Sequence, residues 1–197
     1  MDPKPLFAKS DLGAVLSTQE RNVIEAAQQI PAAHALAATV EELAAELVEK
    51  FKVEPLLIDW EAMTLSHHDA QIEAGAYGWR SGKIPGTRYT YHMPFKGDEG
   101  LFECRPTTWT SVFPYAVVSS HELQVSTTVP ASGESDPKAE LNSEVGKIKQ
   151  YVGWVNKDVE AFGPRLLRVA TTSAQARHEK VVHDKEVADS FGLPQKP

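Results

Sequence analysis

Among 197 residues there is a single cysteine, so Cys104 has no partner within the chain and an intramolecular disulfide is excluded. A reducing, cytoplasmic setting is the expectation that follows. Long apolar runs are missing too: nowhere do about 18 apolar residues stand together, which excludes a membrane-spanning helix. Residues Met1 to Leu12 mix Asp2, Lys4, Lys9 and Asp11 with scattered apolar positions and lack the basic and apolar segments of a secretory signal. Strong motifs are absent as well. There is no GxxxxGK(S/T), no GxGxxG after a strand, no GxSxG, no HExxH and no CxxC, which counts against the commonest nucleotide-binding and hydrolytic classes.

Cations are scarce, with 20 Lys and Arg against 27 Asp and Glu, a net charge of -7. The deficit is local: residues 1–137 hold 10 Lys and Arg against 19 Asp and Glu, whereas residues 138–190 hold 9 against 8. Binding to a phosphate backbone requires clustered cations that release counterions, so nucleic acid is disfavoured as a partner. What remains, 42% hydrophobic and 24% charged, suits one ordinary globular domain that folds without metal or disulfide.

Three regions follow one another. In the first, Ser17 with Glu20 and Thr39 with Glu42 have the spacing of capping boxes, and each precedes apolar positions at helical intervals. Val40, Leu43, Ala44, Leu47, Val48 and Phe51 make the clearest helical stripe, and Pro31 stops the earlier helix at Gln29 or Ile30. From about Pro55 the helical period disappears, and β-branched and aromatic residues are divided by Gly and Pro. The expectation is an antiparallel sheet with strands at Leu56 to Trp60, Met63 to Ala74, Arg88 to Phe95, Leu101 to Cys104, Tyr115 to Ser119 and Glu122 to Val129. Gly75 to Thr87 reads as a loop, and Ser120 with His121 as a hairpin turn.

Past a polar linker at Pro130 to Pro137, Leu141, Val145, Ile148, Val152, Val155, Val159 and Phe162 alternate spacings of four and three, a coiled-coil type of seam. Gly163 and Pro164 predict a break, after which Leu167, Ala170, Ala174, Val181 and Ala188 form a poorer returning stripe. The fold class expected is therefore α+β: an N-terminal helix pair, an antiparallel sheet and a long C-terminal helical hairpin. Residues 1–137 form the α+β region, and residues 138–197 form the hairpin packed on the same domain.

Candidate sites are few. Tyr77, Trp79, Arg80 and Lys83 in the Gly-rich loop have the aromatic and arginine composition of recognition surfaces. Val152, Val155 and Val159, with only a poor stripe to cover them, are expected to meet a second copy or another protein. His67 and Asp69 share one face of their strand, and His92 on the next strand would complete a divalent-metal site. Cys104 beside Arg105 has one feature of an activated thiol, set against the plainer reading of a buried structural cysteine. Arg165, Arg168, Arg177 and Lys180 interleave with acids and read as a solvated, salt-bridged face.

Several stretches carry a resemblance: Arg88-Tyr89-Thr90-Tyr91-His92-Met93-Pro94-Phe95-Lys96-Gly97-Asp98, Leu101-Phe102, Arg105-Pro106-Thr107, Tyr151, Trp154-Val155-Asn156, Asp158-Val159, Phe162, Arg177 and Gly192-Leu193-Pro194. In these the chain resembles a loosely characterised group of bacterial proteins, some encoded among defence and mobile-element genes. The match departs at Gly163, where the pattern has Asn. The resemblance implies a sensing, scaffolding or docking role beside a separately encoded effector, and it carries over no catalytic residue. The first expectation is thus a non-catalytic binding and assembly module of a bacterial multi-component system, anti-phage defence included, that needs no cofactor. The second is a small metal-dependent enzyme, a hydrolase, centred on His67, Asp69 and His92.

Overall fold

A computed structural model describes residues 2–73, 82–119, 121–131 and 135–192. These residues mix helix and strand, and the chain divides into two compact units. The first comprises Met1–Leu12 and Glu54–Asp158, and the second Gly13–Val53 and Val159–Pro197. Among the described residues no helix is long and apolar enough to cross a membrane.

The first unit is built on an antiparallel sheet. Its strands are β1 (Lys4–Pro5), β3 (Leu57–Ile58), β4 (Thr64–Glu73), β5 (Lys83–Lys96), β7 (Tyr115–Ser119) and β8 (Glu122–Pro130). They run in the order β1-β7-β8-β5-β3, and β4 also pairs with β5. A separate two-residue parallel pair joins β2 (Ser10–Asp11) to β6 (Cys104–Arg105). The expected hairpin is present: Ser119 pairs with Glu122, and His121 takes the left-handed φ of 68° that tight hairpin turns use.

Alternation along the strands separates two faces. Met93, Phe95, Ala116, Leu123 and Val125 are buried on one, and helix α4 (Pro137–Ser190) closes over it with Leu141, Val145, Ile148 and Val152. Phe7 is fully buried and stacks on Tyr151 at 5.2 Å, packing that offsets the cost of a left-handed φ of 58° at an aromatic residue. Gly97, at φ 100°, follows β5, and any Cβ there would collide with the Pro55 carbonyl.

The second unit contains α1 (Leu12–Gln28), which begins in the first, with α2 (Ala32–Ala37), α3 (Val40–Phe51) and the rest of α4. The Thr39–Glu42 capping box is fully formed, with Glu42 N donating to Thr39 Oγ1 at 3.2 Å and Thr39 N donating to Glu42 Oε2 at 2.8 Å. Arg177 donates from Nε and Nη2 to the Ile30 carbonyl just beyond α1. Of the basic positions along α4, Lys180 meets the interleaved Asp184 at 2.5 Å, while Arg165 meets Glu20 of α1 at 2.8 Å.

Five expectations need correction. The N-terminal helix pair becomes three helices, because residues 32–37 form a short helix of their own after Pro31. Ser17 caps nothing: α1 starts at Leu12, so Ser17 lies inside the helix. The C-terminal hairpin is one uninterrupted helix through Pro164. That proline is exposed between buried Phe162 and Leu166, so its ring faces water and the lost hydrogen bond is offset by packing on the opposite side. The apolar register accordingly runs on to Leu166, and Leu167 is 53% exposed. Lys83 to Thr87, expected in a loop, belong to β5, and Gly86 is required there because a Cβ would clash with Ile72 and the Val129 carbonyl. Finally, most of Leu101 to Cys104 is a 3-10 turn, Glu99–Glu103, that buries the adjacent Leu101 and Phe102.

Candidate functional site

The second face of the sheet is polar along three strands. Direct pairing across β4, β5 and β8 places Ser66 opposite Thr90 and Thr90 opposite Ser126, with His92 between Thr64 and Gln124. Paired residues of an antiparallel sheet share a face, so Ser66, Thr90, His92, Gln124 and Glu122 all lie on this one.

Here the side chains form a connected chain of hydrogen bonds. His92 Nε2 lies 2.7 Å from Ser66 Oγ, and His92 Nδ1 lies 3.0 Å from Glu122 Oε1. Gln124 Nε2 donates to the same carboxylate oxygen at 2.7 Å. Hydrogen bonds from His92 and Gln124 hold the Glu122 carboxyl below its usual range, so it is ionised and only accepts. A proton on His92 Nδ1 satisfies this contact, and in that tautomer Nε2 accepts from the Ser66 hydroxyl. Thr90, only 6% exposed, donates to Ser126 Oγ at 3.1 Å and walls the row from within the sheet. Further along β5 on the same face, Arg88 has a buried Nε with no hydrogen-bond partner among the described residues.

The same register separates the expected metal ligands. His67 pairs with Tyr89 and Asp69 with Thr87, on the face opposite His92. Strand alternation therefore points the third ligand away from the other two, and His67 instead stacks on Tyr89 at 6.0 Å. Among the described residues no group of three His, Cys, Asp or Glu side chains has metal-holding geometry.

Other expected positions are distributed as follows. Tyr77, Trp79 and Arg80 lie outside the described residues. Lys83 opens β5 opposite Glu73, 3.9 Å from its carboxylate. Val152, Val155 and Val159 are buried, at 8%, 0% and 6% exposure, so they are core positions and offer no surface to a partner. Cys104 is buried and donates to the Gly100 carbonyl; burial pushes its thiol up, against nucleophilic use.

Ser66, Glu122 and Gln124 were not singled out by the sequence, and the available signal was parity. In β8, Glu122, Gln124, Ser126 and Thr128 alternate with Leu123 and Val125, which marks a polar face without showing which strands border it.

The β4 edge is the second notable feature. Ten successive residues pair one-for-one with β5 without a bulge, and among the described residues β4 pairs with no other strand. Almost every side chain of β4 is exposed, Leu65 at 56%. A cavity of about 720 Å³ opens elsewhere on this unit, lined by Leu6, Phe102, Val117 and Val118, and among the described residues none of the expected metal-binding or partner-binding positions borders it. Comparison with protein-family models, curated proteins and solved structures finds no match to this chain.

Proposed function

We propose that the protein is a binding and assembly module that docks through the outer edge of β4. The single observation behind this reading is the ten-residue, bulge-free edge strand itself. Such an edge presents a row of main-chain donors and acceptors to another strand, and natural sheets usually blunt it with proline, lysine or a bulge. Thr64–Glu73 contains none of these.

The partner is a second copy, and charge selects the register. Two antiparallel β4 strands related by a twofold axis pair residues of equal parity. Centred on His68, the pairing sets His67 of each copy opposite Asp69 of the other, two reciprocal contacts on one face. Centred on Asp69 it would oppose two like carboxylates. The sequence resemblance adds an accessory role in a bacterial multi-component system.

Light scattering over a concentration series tests the reading. The wild type should dimerise, and His67→Asp should weaken the dimer while the monomer stays folded, because the side chain is exposed. The exchange His67→Asp with Asp69→His should restore association. A wild type that stays monomeric at its highest soluble concentration overturns the second copy as occupant.

A further inference from the structure

We infer that Ser66 is a nucleophile toward carboxylic esters, with His92 as its base and Glu122 orienting the base. The inference goes beyond the docking role and does not depend on it: pairing at the β4 edge uses the main chain, whereas Ser66, His92 and Glu122 project from the polar face.

The geometry meets the general requirement for an activated hydroxyl, a base within hydrogen-bond reach held by a third group. The two contacts, 2.7 Å from Ser66 Oγ to His92 Nε2 and 3.0 Å from His92 Nδ1 to Glu122 Oε1, use the two different ring nitrogens. With Nδ1–H turned to the carboxylate, Nε2 faces the serine and can take its proton. Gln124 steadies the carboxylate, so three strands hold the row and none of its members sits on a loop. The serine is reachable because it lies in the exposed part of β4, while the His92 side chain is 24% exposed.

The register also places a cation beside the serine. Ser66 pairs with Thr90, which makes Arg88 its diagonal neighbour on the same face, a spacing of about 7–8 Å that a long side chain spans. The Arg88 guanidinium brings a permanent positive charge to this face.

The reaction is an ordinary two-step hydrolysis. Ser66 Oγ bonds to the ester carbonyl carbon while its proton passes to His92 Nε2, and the alkoxide leaves as the alcohol with that proton. Water then adds to the acyl carbon, giving a proton to His92. The Ser66 Oγ–acyl bond breaks, Ser66 regains its proton, and one ester and one water become one acid and one alcohol.

The test uses the full chain with two probes, a fluorophosphonate followed by mass mapping, and p-nitrophenyl acetate followed at the nitrophenolate absorbance. Modification should map to Ser66. Ser66→Ala should abolish it, His92→Gln should slow ester hydrolysis by about 10²-fold or more, and Lys138→Gln, at an exposed position of α4, should leave the rate unchanged. Arg88→Met should lower the rate while the Ser66 hydroxyl remains in place. Because Ser66 is exposed, Ser66→Ala keeps the fold, and its unchanged melting curve makes its result decisive even if a His92 variant is unstable. Failure of the probe to modify Ser66, or a Ser66→Ala protein that hydrolyses the ester as fast as the wild type, overturns the inference. Either result leaves the light-scattering outcome for the β4 edge untouched.

Discussion

Leu56 and Asn156, 100 positions apart, hold each other by two hydrogen bonds: Leu56 N donates to Asn156 Oδ1 at 2.9 Å, and Asn156 Nδ2 donates to the Leu56 carbonyl at 2.8 Å. The side-chain amide thus acts as one rung of a β-ladder, securing the chain just before β3 to α4. Replacing Asn156 by Leu removes both bonds and leaves a main-chain donor and acceptor unpaired, at a cost of about 1–3 kcal/mol. Asn156→Asp keeps the acceptor and loses the donor, so it should fall between Leu and the wild type. Urea denaturation of the three proteins checks the order.

Val152 distinguishes a core seam from a docking seam. At 8% exposure it leaves no room for a carboxylate, so Val152→Glu should destabilise by several kcal/mol. Circular dichroism should show loss of helix and cooperative melting. A folded Val152→Glu protein that differs from the wild type only in its state of association would show that the seam faces a partner.

Continuity of α4 through Pro164 makes a prediction of opposite sign to the usual mutation. Proline in a helix interior removes a hydrogen bond and costs about 3 kcal/mol relative to alanine. Because Pro164 is exposed, Pro164→Ala should raise stability by up to about that amount. In a helical hairpin the same proline would sit in a turn, where alanine brings no such gain. Thermal melting reads the difference.

Cys104 should react slowly with thiol reagents in the native protein and rapidly once unfolded. Burial comes first among the causes that raise its pKa, followed by the nearby carboxylates of Glu103 and Asp11. The sign of the pH effect follows. The unfolded thiol loses its proton at lower pH than the folded one, so stability declines as pH rises from the ordinary thiol range toward the folded value, and is unaffected below that range. Cys104→Ala should remove this part of the alkaline decline, measured by denaturation at about pH 7 and about pH 10.

Much of this architecture is legible in the residue order because its causes are local. The capping box at Thr39 and Glu42 needs only four consecutive residues, and the stripe from Val40 to Phe51 needs only a helical period. The strands from Thr64–Glu73 to Glu122–Pro130 announce themselves by β-branched content and by the breaks between them. Where the reading failed, a local signal was overruled by distant packing. Pro164 is a breaker in isolation, yet buried Phe162 and Leu166 carry the helix through it. Gly86 suggests a loop until Ile72 and Val129 close against it from two neighbouring strands.

By itself, the residue order determined which positions are apolar, which are polar and where helices and strands form, because propensity and periodicity act over a few residues. Only the tertiary structure decided which polar residues meet. His67, Asp69 and His92 fit a metal site as a composition, but the register that pairs Thr64 with His92 sends them to opposite faces. The same register brings Ser66, His92 and Glu122 together, since a side-chain period of two turns each choice of strand alignment into a choice of face.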